Sequence, residues 1–181
     1  PLGIYPRYWL LTRQIETATP EQMLPFLKYY HGAWLAEKLR SEWLMVLGRK
    51  GDWPLFRQQY ALLLDTPSQE LRSHAYAARL EAGDSKVLAE ARTALWFTAK
   101  DLPSACDAVL QALQASSELT DADRWARLRL ALTANAQGLA RYLAEKLGRT
   151  SPASELQAIV SAPASYLDSV SMDSRLDREL A

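Results

Sequence analysis

Apolar positions recur at three- and four-residue steps along the whole chain. Ile4, Tyr8, Leu11 and Ile15 share one helical face. Leu35, Leu39, Trp43 and Leu47 form a second stripe, and Leu71, Ala75, Ala78 and Ala82 a third. Leu88, Ala91, Leu95 and Thr98 follow, then Trp125, Leu128 and Leu132, then Leu139, Leu143 and Leu147. No alternating run of strand length interrupts them. The pattern predicts helices over 4–17, 20–30, 33–48, 53–64, 67–82, 85–99, 103–115, 121–136, 138–147 and 152–160, and a last one near 172–180.

The residues between the stripes carry helix start and stop signals. Thr19-Pro20-Glu21-Gln22 places an N-cap Thr before a Pro at the first helical position, with Gln three residues after the cap. Thr66-Pro67-Ser68-Gln69 reads as the same device. Ser151-Pro152 and Thr120-Asp121-Ala122-Asp123 are related starts, the latter with carboxylates at a positive helix end. Gly48, Gly51, Gly83 and Gly148 stand where helices are expected to stop.

These breaks have a period. Gly51-Asp52, Gly83-Asp84, Ser116-Ser117 and Gly148-Arg149 are about 32 to 33 residues apart, the length of a two-helix solenoid repeat. Each interval holds two helices. A pair of short amphipathic helices cannot bury its apolar face alone, so neighbouring pairs must stack. The expected fold is therefore all-α: an open α-solenoid, a right-handed superhelix of stacked helical hairpins, TPR-like in repeat length. The tetratricopeptide consensus itself is not matched.

Composition narrows the function classes. Ala and Leu make up about a third of the 181 residues, which favours helix over sheet. Lys plus Arg and Asp plus Glu are both 21, so the basic excess typical of nucleic-acid binders is missing. A single Cys excludes an internal disulfide framework and a Cys-based zinc site. No run approaches the roughly 18 apolar residues of a membrane span. The opening Pro1-Leu2-Gly3 lacks signal-peptide features and runs at once into an apolar pattern, as if cut from a longer protein.

Candidate chemistry is sparse. His31 and His74 have no partner at metal-ligand spacing, so no metal site and no cofactor are expected. Cys106 stands at a predicted helix start beside Asp107, which opposes thiolate formation, and reads as a buried structural residue. Glu37, Glu42, Glu81, Glu90, Glu145 and Glu155 read as members of solvated faces, Glu42 pairing with Lys38 one turn away. None has the apolar setting that raises a carboxyl group for acid catalysis. Aromatic residues crowd the first third of the chain. Most read as wedges between helices, while Tyr5, Trp9, Tyr30 and Trp34 are the candidates for stacking on sugar rings.

Several segments, taken in order, resemble one family. Tyr5-Pro6-Arg7-Tyr8-Trp9-Leu10-Leu11 resembles the Y-P-x-Y-x-x-L entry segment of the helical domain of soluble lytic murein transglycosylases. Phe26-Leu27 with the Trp34-to-Leu47 helix resembles the next helix pair, ending in the Gly51-Asp52-Trp53 turn. Tyr76-Ala77-Ala78-Arg79 with Gly83 resembles the following helix exit. Leu95-Trp96 and then Pro103-Ser104-Ala105-Cys106-Asp107 match a W…P-x-A-C-D segment, the most specific of the series. Arg127-Leu128-Arg129-Leu130-Ala131-Leu132 resembles the R-x-R-L-A-[LM] helix beyond it. In some family members a Cys three residues before the tyrosine equivalent to Tyr76 is placed to pair with the P-x-A-C-D cysteine. Here that position is Ser73, so packing must replace a cross-link to Cys106.

The resemblance implies a parent enzyme of the periplasm whose long helical superhelix precedes a lysozyme-like catalytic domain. That domain cleaves the MurNAc–GlcNAc bond of peptidoglycan and leaves a 1,6-anhydro product. Its E-S, G-L-M-Q and A-Y-N-A-G signatures do not occur here, so no catalytic residue carries over. Residues 1–181 are expected to be an N-terminal part of the superhelix with the catalytic domain absent. Expected partners are glycan strands and the catalytic domain of the same protein, with no nucleic acid and no membrane span. The alternative is a TPR-like module that captures a peptide or protein.

Overall fold

The computed structural model describes residues 3–100, 102–147 and 165. Among the described residues the structure is helical, with nine α-helices and no strand. They are α1 (Ile4–Arg13), α2 (Pro20–Tyr29), α3 (Trp34–Lys50), α4 (Trp53–Tyr60), α5 (Gln69–Glu81), α6 (Val87–Ala91), α7 (Asp107–Ala115), α8 (Asp121–Thr133) and α9 (Gln137–Lys146). A π-helical turn over Arg92–Trp96 continues α6, and a 3-10 turn over Ser104–Cys106 leads into α7. The breaks at 51–52, 83–84 and 116–117 fall between elements as the repeat requires. The predicted helices 152–160 and 172–180, the Ser151-Pro152 start and the Gly148 stop lie outside the described residues.

The described residues fall into two compact units. One draws on Pro1–Leu88 and Pro103–Ala112, the other on Ala89–Leu102 and the chain from Leu113 on. In the first unit α3 is the central element, packing against α1, α2, α4 and α5. Its stripe Leu35, Leu39, Trp43 and Leu47 is buried throughout and meets Tyr8, Phe26, Phe56 and Leu71 in one core. Burying a side chain of this size contributes about 1.5–3 kcal/mol relative to leaving it in water. In the second unit α8 packs on α9, and Leu128, Ala131, Ala140 and Leu143 are buried.

The turn after α3 shows how a short sequence ends one helix and starts the next. Gly51 has φ +72°, a left-handed conformation that costs a side-chain-bearing residue but not glycine. Its N–H donates to the Gly48 carbonyl at 3.2 Å, and Asp52 N–H donates to Leu47 O at 3.1 Å. The Asp52 carboxylate then accepts from Leu55 N–H at 3.4 Å at the start of α4, with Pro54 in the first turn. The capping boxes are also present. Thr19 N–H donates to Gln22 Oε1 at 2.9 Å, and Thr120 N–H donates to Asp123 Oδ2 at 2.9 Å.

Four local expectations are corrected. The cap of α5 is Ser68, whose hydroxyl accepts from Leu71 N–H at 3.2 Å, so the helix starts at Gln69 and not at Pro67. Helix α1 ends at Arg13 rather than 17, because Lys50 of α3 bonds the Glu16 carbonyl and Arg49 holds its carboxylate at 2.5 Å. Helix α4 ends at Tyr60 rather than 64, since the Leu64 amide donates to Glu37. Gly48 is no helix stop. It lies inside α3, where a Cβ would stand 2.4 Å from Cγ of His74, and it is there to let α5 approach.

In the second unit the π-helical turn brings Arg92 and Trp96 onto α8. Arg92 forms a two-pronged bond to Asp123, Nη2 to Oδ1 at 2.5 Å and Nε to Oδ2 at 3.1 Å. The Trp96 indole N–H donates to the Asp123 carbonyl at 3.0 Å, and the Arg127 guanidinium lies 4.5 Å from the Trp96 ring centroid. Asp123 is therefore both helix cap and anchor. Chiefly through the Arg92 bond, its carboxyl is lowered to about 2.

Candidate functional site

Helix α3 carries Glu37 and Arg40 one turn apart, and both are buried. This corrects the expectation that Glu37 belongs to a solvated face. Glu37 Oε2 accepts from Leu64 N–H at 3.1 Å, and Oε1 accepts from Gly32 N–H at 3.4 Å. Arg40 Nε stands 3.8 Å from Glu37 Oε2, Nη1 donates to Gln59 Oε1 at 2.5 Å, and Nη2 donates to the Leu27 carbonyl at 3.4 Å. Burial pushes the Arg40 guanidinium down, while Glu37 opposes the shift. The pair ties the loops before α3 and after α4 to α3 itself. Its signal was weak in the sequence, because an i,i+3 acid–base pair reads as surface until both neighbours of the helix are known.

Above this pair a cleft of about 900 Å³ opens between α2, α3 and the end of α4. Leu24, Leu27 and Leu62 give it apolar walls, and Lys28, His31, Arg40 and Gln59 contribute polar groups. His31 is half exposed, with Nδ1 3.7 Å from Glu37 Oε1. The arrangement holds side chains and loops in place and presents an apolar recess. Glu37 lies bonded among backbone amides and a guanidinium, so it is not set up as a general acid.

The four candidate sugar-stacking aromatics fall into three groups. Tyr5 and Trp9 stand one turn apart on α1, 50% and 61% exposed, with the Trp9 ring edge-to-face against buried Tyr8 at 5.4 Å between centroids. Trp34 opens α3 at 69% exposure with the Lys38 ammonium 5.4 Å from its ring centroid. Tyr30 is half-buried, packed on Phe26 at 4.8 Å and Tyr29 at 4.7 Å between ring centroids. Among the described residues no ring contact joins the three groups. By contrast Trp43 and Trp96 are fully buried wedges.

Cys106 is buried and in contact with the Ser73 hydroxyl, and burial pushes its thiol up. It is a packing residue rather than a nucleophile. No cluster of three or more His, Cys, Asp or Glu side chains able to hold a metal occurs among the described residues. No helix among them is long and apolar enough to cross a membrane.

No protein-family model matches the chain. Curated proteins do. The soluble lytic murein transglycosylases of Salmonella typhimurium and Escherichia coli are each 31% identical to it over 128 residues, 70% of this chain. The chain is related to the soluble lytic murein transglycosylases. It spans 19% of the length of these relatives.

Solved structures of this family carry the same fold. The 70 kDa soluble lytic transglycosylase of Escherichia coli matches with a TM-score of 0.75 and 24% identity, over all of this chain and 30% of that one. A 70 kDa soluble lytic transglycosylase in complex with bulgecin A matches with a TM-score of 0.75 and 24% identity, over 99% of this chain and 29% of that one. An inactive variant of the Pseudomonas aeruginosa lytic transglycosylase matches with a TM-score of 0.73 and 25% identity, covering 30% of that chain. The all-helical class thus agrees with helical regions of these transglycosylases.

Proposed function

We propose that this chain is a non-catalytic, N-terminal scaffold segment of the superhelix of a periplasmic lytic transglycosylase. Residues 1–181 form one part of that superhelix and support a catalytic domain elsewhere in the same protein. The parent enzyme cleaves MurNAc–GlcNAc bonds to 1,6-anhydro products in cell-wall turnover. The segment's task is to position that domain and to hold glycan strands, with Tyr5, Trp9, Tyr30 and Trp34 as stacking residues. The single observation that carries this reading is the 31% identity over 70% of the chain to soluble lytic murein transglycosylases. The exposed rings of Tyr5, Trp9 and Trp34 supply surfaces on which sugar rings stack.

Purified sacculi provide the test. The 181-residue chain should co-sediment with them, Trp9→Ala combined with Trp34→Ala should weaken this at least threefold, and no anhydro-muropeptides should be released. Release of anhydro-muropeptides rules out the non-catalytic role, and failure to co-sediment rules out glycan holding. A second reading, a TPR-like module capturing a peptide, is favoured by the apolar cleft of about 900 Å³ above Arg40. Peptide capture predicts loss of binding when Leu24 and Leu62 become Glu, with sacculus binding unchanged.

A further inference from the structure

Tyr60, Arg72, Ala75, Tyr76 and Arg79 line a hollow of about 160 Å³ in the first unit. Its lining follows from helical spacing. Arg72, Ala75, Tyr76 and Arg79 stand at i, i+3, i+4 and i+7 on α5, so they share one face. Tyr60 closes the hollow from the C-terminal end of α4, its ring stacked on Phe56 at 5.5 Å between centroids and 15° between planes. Ala75 lies between the two arginines, and its short side chain leaves the space that a longer one would fill.

The polar groups around this space are unused by the protein. Among the described residues, the Arg72 guanidinium and the hydroxyls of Tyr60 and Tyr76 have no hydrogen-bond or ion-pair partner within the chain. Arg72 is exposed, and neither hydroxyl is sealed from solvent, so a ligand can reach all three. Arg79 is held by Asp84, with Nε 2.8 Å and Nη2 2.7 Å from Oδ2. Asp84 thus offsets one of the two positive charges and leaves the other at Arg72.

The chemistry of the lining selects a ligand. A guanidinium carries five N–H donors and no acceptor, and a protonated phenol adds an O–H donor. Burial pushes the Tyr60 hydroxyl up, against the pull of Arg72 and with the help of Tyr76, so Tyr60 keeps its proton at neutral pH. No carboxylate lines the hollow among the described residues. Donors with net positive charge call for an oxyanion. They come from two helices, Tyr60 on α4 and Arg72 with Tyr76 on α5, so they approach from different sides. A tetrahedral oxyanion presents oxygens to both sides, whereas a carboxylate presents two oxygens along one edge. The volume lies below the roughly 300–1,000 Å³ of pockets that enclose a drug-sized ligand, so it takes one small group.

We propose that this hollow binds a phosphate group, with the Arg72 guanidinium bonding two of its oxygens and the Tyr60 and Tyr76 hydroxyls donating to the others. The site is distinct from the rings named for holding glycan, and it does not depend on that reading.

Inorganic phosphate titrated into the isotope-labelled 181-residue chain at constant ionic strength, with NMR observation of the arginine Nε–H signals, tests it. The Arg72 signal, identified by its loss in Arg72→Gln, should shift and saturate, and phosphorus-31 line broadening should disappear in that variant. Tyr60→Phe keeps the ring on Phe56 and removes only the hydroxyl, so it should weaken binding at least threefold. Arg7→Gln, which removes an exposed charge on α1, should leave the affinity unchanged. Acetate should bind at least fivefold more weakly than phosphate. Thermal melting of each variant confirms that it is folded. Absence of a saturating Arg72 shift overturns the site, as does a folded Tyr60→Phe that binds as tightly as the parent. Equal loss in Arg7→Gln assigns the effect to overall charge and overturns it too. Equal affinity for acetate overturns the choice of a tetrahedral anion.

Discussion

The hydroxyl of Ser73 and the thiol of Cys106 touch in the core of the first unit, 33 residues apart in sequence. Both residues are fully buried, and Ser73 also donates to the Gln69 carbonyl at 3.1 Å. The contact joins α5 to the turn that opens α7. It is the position where the family resemblance implies a cysteine pair in other members, and packing with one polar contact takes its place here.

Ser73→Cys should therefore form a disulfide with Cys106 under oxidising conditions. Closing a loop of this length removes unfolded-state entropy worth about 4 kcal/mol in the chain-entropy estimate. The variant should melt higher than the parent and lose that gain on adding reductant. Thiol titration that finds two free thiols after oxidation would show that the geometry does not support the bond.

Gly48 and His74 form a second coupled pair. Gly48→Ala places a methyl group 2.4 Å from the imidazole Cγ, so α3 and α5 must separate. Overpacking of this kind costs about 1–3 kcal/mol. Adding His74→Ala should relieve the clash, so the double variant loses less stability than the two single losses summed. Urea unfolding of the four proteins measures the coupling, and simple additivity would contradict the contact.

Glu37→Gln removes the charge that faces Arg40 in the core. Breaking one partner of a buried pair costs about 3–5 kcal/mol, because the other charge stays buried without its counterion. Replacing both, as Glu37→Gln with Arg40→Met, should recover a large part of the loss. Denaturant midpoints decide this. A single variant as stable as the parent would mean that Arg40 is neutralised by other means.

Asp123 makes the second unit acid-sensitive. Its carboxyl is lowered to about 2 in the folded chain from an unfolded value near 3.9, so folding favours the ionised form. The resulting stabilisation, about 2 kcal/mol, is complete above about pH 4 and is lost as pH falls toward 2. Asp123→Asn should be less stable at pH 7 and should show a flatter stability profile between pH 4 and 2. Parallel profiles for parent and variant would refute the Arg92 pairing.

Much of the fold was legible because it rests on local rules. Glycine at 51 and Asp at 52 end one helix and begin the next through their own backbone and side chain, whatever surrounds them. The capping boxes at Thr19 and Thr120 likewise need only residues three apart. Errors fell where a distant partner decides. Gly48 reads as a stop until His74 is seen against it. The Thr66-Pro67 cap is the exception, a local choice that Ser68 wins by bonding Leu71 N–H.

The candidate site was less legible for the same reason. Exposed Trp9 and Trp34 could be named from composition and crowding, since a surface ring needs no partner to be exposed. Glu37 reads as part of a solvated face in sequence, and only the closing of α2 and α4 over α3 makes it and Arg40 buried. The hollow beside Arg72 draws on α4 and α5 together.

By itself, the sequence determined that this protein is helical, that its helices pair at a period of about 32 to 33 residues, and which family its segments resemble. Periodicity, caps and left-handed glycines are properties of neighbours along the chain, so they survive reading one residue at a time. Tertiary structure alone decided which charges are buried, which glycine is a contact rather than a stop, and that Ser73 meets Cys106. Burial and close approach depend on elements brought together across dozens of residues, and no local spacing encodes the distance between them.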